Sequence, residues 1–176
     1  MKKSLISTFI AAACLTASSI AVAASNEAVE NITVTTNVSD VSGITINLTD
    51  NPETVTTEDV KSQGVTLTTL SIDATGLTNN GATGNSNIAV EVGNDNYDAS
   101  SGAWLFKNGD GSSDPLKARP RGQGWHQEPP NRIGYRLSGN NVNTASLRLT
   151  IETNTGNTNV TAGGYTMPLT VSYNTW

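Results

Sequence analysis

With one cysteine and one histidine in 176 residues, the sequence has little material for several kinds of chemistry. The cysteine, Cys14, lies inside an apolar N-terminal stretch, and none follows it. Zinc–thiolate sites, cysteine nucleophiles, dithiol redox chemistry and a disulfide framework are therefore excluded from the rest of the chain. Charge is scarce too: charged residues make up 14% of the chain, with a net charge of −5 and a pI near 4.7. That is too little charge for a solvated disordered chain, and the wrong sign for a general affinity for nucleic acid or anionic membrane. Hydrophobic residues, at 36%, are too few for a multi-span membrane protein. Sixteen glycines and six prolines exclude collagen-like and proline-rich classes.

The N-terminus reads as a secretory signal over residues 1–24. Lys2 and Lys3 form a basic start, an apolar run follows from Leu5 to Leu15, and Ala21-Val22-Ala23 and Val22-Ala23-Ala24 both satisfy the small-residue cleavage rule. The run is short and rich in Ala, Ser and Thr, which makes a poor membrane span. Ala11-Ala12-Ala13-Cys14 loosely resembles a lipoprotein cleavage box, but such boxes end the apolar region and here it continues. Removal of the signal takes two lysines and no acid, so the exported chain is more acidic still.

What the remainder has in plenty is Asn and Thr, more than a quarter of it. Thr favours strands and Asn favours turns. No window shows sustained helical spacing; the best candidate for a short helix or turn is Pro52 to Gln63. Period-two alternation is widespread: Ile32, Val34 and Val38; Ile44, Ile46 and Leu48; Ile88, Val90 and Val92; Trp104 and Phe106; Ile133, Tyr135 and Leu137; Leu147, Leu149 and Ile151; and Tyr165 through Tyr173. Between Val65-Leu67 and Leu70-Ile72 the phase changes, which predicts a bulge near Thr68-Thr69. Polar, Gly-rich stretches separate the runs: Thr78–Asn87, Asn108–Asp114, Ser138–Asn143 and Asn154–Gly164. This spacing predicts an all-β chain, an immunoglobulin-like β-sandwich over residues 41–176 preceded by a separate N-terminal strand over 25–40.

The two ends complement each other. The last strand is apolar on one face and nearly reaches the terminus, and Pro168 on its other face suits an edge strand. A long apolar edge is an association hazard unless it is covered. At the other end, Ile32, Val34, Thr36 and Val38 face one way on a clean strand directly after the signal. That strand either folds back as part of its own sandwich or enters the groove of another copy.

"VENITVTTNV" at Val29–Val38 resembles the start of mature pilins of the colonisation-factor antigen fimbriae of enteric bacteria. "TAGGYTMPLTVSY" at Thr161–Tyr173 is similar to the terminal strand of chaperone–usher pilins generally. The resemblance covers only the two ends. It implies an incomplete immunoglobulin-like sandwich whose missing strand is supplied first by a periplasmic chaperone and then, at an outer-membrane usher, by the donor strand of the next subunit. On that carry-over Ile32, Val34, Thr36 and Val38 form the donor face, Tyr165, Met167, Leu169 and Val171 line the acceptor groove, and Trp176 contacts the chaperone. The product is a head-to-tail homopolymer, a fimbrium on the cell surface that adheres to host cells or surfaces. No cofactor is implied.

The middle of the chain offers a second candidate. Most of the basic residues beyond the signal fall between Lys107 and Arg136, together with Trp104, Phe106, Trp125 and Tyr135. Arg and aromatic residues anchor recognition surfaces. Lys117–Arg132 is therefore read as a long surface loop with two uses: a ligand loop, with Arg119, Arg121, Trp125 and Arg132 facing a host glycan or protein receptor, or a solvated connection beside core aromatics. The first use supports an alternative function, a secreted or surface carbohydrate-binding module centred on Trp125. Asn108–Asp114 has oxygen ligands at calcium-like spacing but lacks the distal glutamate, so it is read as a turn. His126 stands without a nucleophile motif, and the chain is not read as an enzyme or as a metal protein.

Overall fold

A computed structural model describes residues 28–29, 32–37, 43–80, 86–111, 113–128 and 130–175. The architecture is all-β. Along the chain run β1 (Ala28–Val29), β2 (Ile32–Asn37), β3 (Thr45–Pro52) and β4 (Val55–Thr56), then the first of two described 3-10 turns, at Asp59–Lys61, the other being Asn94–Asn96 before β7. The long β5 (Thr66–Asn80), β6 (Ser86–Val92) and β7 (Tyr97–Asp98) lead to β8 (Ala103–Asn108) and β9 (Leu116–Arg121). The chain ends with β10 (Trp125–Glu128), β11 (Arg132–Arg136), β12 (Asn140–Thr153) and β13 (Tyr165–Thr175).

Two layers share one core. The first has the order β10-β11-β6-β13, the second β8-β9-β12-β5-β3, and they join where Tyr165 and Thr166 of β13 pair with Asn108 and Lys107 of β8. Alternation along each strand decides what faces inward. Ile88, Val90 and Val92 of the first layer meet Leu70, Ile72, Leu149, Ile151, Trp104 and Phe106 of the second, all fully buried. The sandwich expected from period-two spacing is the one observed, and Trp104 and Phe106 belong to its core.

The expected change of phase in β5 is a bulge one position earlier than predicted. Ile151 pairs with Thr68 and Glu152 with Thr66, so Leu67 is the extra residue, and both Leu67 and Thr68 are buried. A second irregularity centres on Gly76 (φ +73°), where a Cβ would stand 1.8 Å from the Gly43 carbonyl oxygen. Only glycine permits that approach, and it fixes the start of β3 against β5.

One expectation is overturned. Lys117–Arg132 is not a long loop: β9 and β10 occupy most of it, β9 between β8 and β12, and β10 paired with β11. Pro120 does not break β9, because β8 pairs only with Leu116–Ala118, and beyond them β9 has one neighbour to satisfy. Asn108–Gly111, within the segment read as a turn, does turn, with Asn108 Oδ1 accepting the Asp110 N–H and the Asn108 carbonyl accepting the Gly111 N–H, each at 3.1 Å.

Candidate strand-receiving groove

The groove lies where the two layers expose their ends, β13 in the first and β3 in the second. Each strand has two hydrogen-bonding edges, and β13 uses one of them for β8 at Tyr165–Thr166 and for β6 at Leu169–Thr175. Its other edge takes β2, in register from Tyr165 opposite Ile32 to Thr170 opposite Asn37. The pairing is parallel, and every other pairing among the described strands is antiparallel.

The floor of the groove is an inward row on β13: Tyr165 and Met167 are fully buried, and Leu169 and Val171 nearly so. Tyr165 sinks its ring while its hydroxyl donates to the Thr161 carbonyl at 3.0 Å and meets the Ser113 hydroxyl. These are the four acceptor residues named from the sequence, and the structure brings them together on one face. Of the donor face, Val34 is buried opposite Met167. For Ile32 and Thr36 the structure describes the backbone, while Val38 and Trp176 lie outside the described residues.

The wall opposite β13 holds a residue that the sequence reading did not single out. Asp50 of β3 follows Ile46 and Leu48 at the same two-residue step, on the inward side of an otherwise aliphatic row. Its Oδ2 accepts the backbone N–H of Val34 at 2.9 Å, and its Oδ1 accepts the hydroxyl of buried Thr68. The signal was present as an acid breaking the Ile44-Ile46-Leu48 alternation.

The four candidate ligand residues are not gathered into one site. Trp125 is turned inward, 9% exposed, with its Nε1–H donated to the Arg148 carbonyl at 2.9 Å and its ring packed edge-on to Tyr135 at 5.6 Å. Its face is no open platform for a sugar. Gly122 and Gly124 make room for these rings, since a Cβ at either would fall within 2.6 Å of an aromatic carbon. Arg121 shares a shallow cleft with Trp125 and Tyr135. Arg119 pairs with Glu152 at 3.3 Å. Arg132 sits elsewhere, held at 2.6 Å by Glu128, which also accepts from Asn87 at 2.8 Å. Among the described residues no cluster of His, Asp and Glu is disposed to hold a metal ion.

No protein-family model matches the sequence, and no curated protein does. Solved structures do. The Escherichia coli Hda pilus minor tip subunit, HdaB, is 16% identical with a TM-score of 0.48, over 73% of this chain and 79% of that one. A structure described for fibronectin binding and biofilm formation by the AAF fimbriae of enteroaggregative Escherichia coli is 9% identical with a TM-score of 0.43, over 74% of this chain and 98% of that one. Both are parts of bacterial surface filaments. At these identities and scores neither likeness carries a function across to this chain.

Proposed function

We propose that this chain is a fimbrial subunit that polymerises by donor-strand exchange, exported by its N-terminal signal and assembled outside the cell with the help of a periplasmic chaperone and an outer-membrane usher. The observation that carries this reading is the place of β2. It completes the sandwich between β13 and β3, yet lies outside the antiparallel path that holds the other long strands together. A strand so placed is replaceable by an equivalent strand from another copy without rebuilding the core. Strand addition of this kind draws affinity from main-chain hydrogen bonds and specificity from alternate side chains. Each copy offers one donor and one groove, a head-to-tail contact that does not close, so repetition gives a filament. Adhesion to host cells or surfaces is the use such a filament would serve.

The test is an unheated denaturing gel of surface-sheared material from wild type and Ile32→Asp. A ladder of multimers in wild type that vanishes in the variant, while the variant still accumulates folded in the periplasm, is the expected result. A single monomer band in wild type, from soluble folded protein, overturns the reading.

A further inference from the structure

We infer that Asp50, braced by Thr68, is a reader of main-chain N–H groups that sets the register of whatever strand occupies the groove beside β13. This rests on the reading of that groove as a strand-receiving site. The ligand is thus an extended peptide segment, recognised by its backbone rather than by a side chain.

Asp50 is an acid in an aliphatic row. Alternation along β3 gives Ile46, Leu48 and then Asp50 on the inward side, where a further aliphatic residue would bury more apolar surface. A half-buried carboxylate there must find donors or lose stability. Among the described residues it finds two, and they differ in kind. The Thr68 hydroxyl is part of the permanent wall, on a fully buried residue whose place is set by the β5 bulge. The Val34 N–H belongs to the replaceable strand. Thr68 therefore holds the carboxylate in position, and the second oxygen is left to receive an amide from the groove.

Register follows from strand geometry. Successive N–H groups of an extended strand point to opposite edges, so with Val34 directed at Asp50 the amides of Thr33 and Thr35 point toward β13. A slip of one residue would present a carbonyl oxygen, which repels a carboxylate, to Asp50 and turn Val34 out of the core at the same time. A slip of two would restore an N–H, and side-chain fit against Met167 must then decide. A strand with proline at the Val34 position has no N–H to give. The competing account is that Asp50 is only an inward-pointing charge that protects the β3 edge from unwanted pairing. That account requires no particular bond to Val34.

Amide hydrogen exchange on the full-length protein separates the two, using Asp50→Leu, which restores the aliphatic row, and Asp50→Asn, which keeps an acceptor oxygen. The expected result is exchange at Val34 about tenfold faster or more in Asp50→Leu, as loss of a hydrogen bond to a charged acceptor implies. Asp50→Asn restores most of the protection, and Thr33, Thr35 and core amides such as Ile151 change far less. Three results overturn the inference: unchanged protection at Val34 in Asp50→Leu, an equal loss along all of Ile32–Asn37, or no protection at Val34 in wild type. The gel ladder keeps the two proposals apart. A wild-type ladder with unchanged Val34 protection in Asp50→Leu refutes the reader and leaves strand exchange standing. A loss confined to Val34 without any wild-type ladder does the reverse.

Discussion

Val34→Asp should release β2 without unfolding the rest of the domain. In the native state the Val34 side chain is 7% exposed and faces fully buried Met167 across the β2–β13 register. Removing its burial forfeits about 1.5–3 kcal/mol. Leaving a carboxylate in its place adds an uncompensated desolvation penalty of about several kcal/mol, made worse by the acid of Asp50 hydrogen-bonded to the same residue. The sum exceeds what a strand of six residues is expected to hold, at roughly one hydrogen bond of 0.5–1.5 kcal/mol net for each pairing amide. The cheaper response is for β2 to leave the groove, so the loss of stability stops at the docking energy of that strand. Ile151→Asp offers the contrast, because Ile151 is fully buried between β5 and β9 and cannot leave alone. The assay is limited proteolysis with mass spectrometry, alongside urea unfolding. Val34→Asp should become cleavable within or near residues 32–37 while keeping a cooperative transition, whereas Ile151→Asp should fail to accumulate folded protein. If Val34→Asp fails to accumulate as Ile151→Asp does, or loses its cooperative transition, or if β2 stays protected, the reasoning is refuted.

Three further outcomes follow from local geometry. Asp98 accepts hydrogen bonds from the Ser100 and Ser101 hydroxyls at 2.6 Å and lies 3.3 Å from the Lys117 ammonium. The Ser100 hydroxyl above all, then Ser101, holds its carboxyl well below the usual range. A depressed carboxylate lends stability that is fully present above its unfolded value of about 3.9 and is lost as pH falls through the lower folded value. Melting temperature should therefore fall less steeply below about pH 4 in Asp98→Asn than in wild type; equal slopes would remove Asp98 from the account. Gly76→Ala places a methyl group 1.8 Å from the Gly43 carbonyl at a φ of +73°, so it should cost at least about 2 kcal/mol in urea unfolding, and a neutral effect would mean that β3 and β5 can separate there. Trp125→Phe removes the donor to the Arg148 carbonyl and should cost about 1–2 kcal/mol, read as a shift of the urea midpoint with an unchanged slope.

The strands were legible because burial on one face writes itself into alternation: Leu147, Leu149 and Ile151, or Tyr165, Met167 and Leu169, admit little else. The inward row of β13 was legible for the same reason, whereas its reading as an acceptor groove came from the resemblance of the chain's ends. β9 was not, because its inward residues, Leu116, Ala118 and Pro120, include a small residue and a proline, and neither gives a strong apolar signal. Period two survives there as Lys117, Arg119 and Arg121 on the outer side. For Trp125 the sequence left two uses open, a surface anchor or part of a solvated connection, and the small neighbours Gly122 and Gly124 are the clue that its ring is packed inward. The direction of β2 could not be read at all, since side chains alternate identically in parallel and antiparallel strands. Asp50 needed its partner in space: an acid in an aliphatic row becomes interpretable once a main-chain amide is found in front of it.

The parallel seat of β2 has a kinetic consequence. Only residues 38–44 separate its end from the start of β3 at Thr45. A connection that short holds the strand at a local concentration of about millimolar. An incoming strand from another copy at micromolar concentration loses that competition while β2 is bound or rebinding. If the chain is left to exchange strands unaided, the rate is therefore set by the tethered segment leaving, and raising the concentration of subunits accelerates it only weakly. A partner that removes β2 from its seat, or occupies the groove before β2 returns, would change the order of the reaction and not merely its speed.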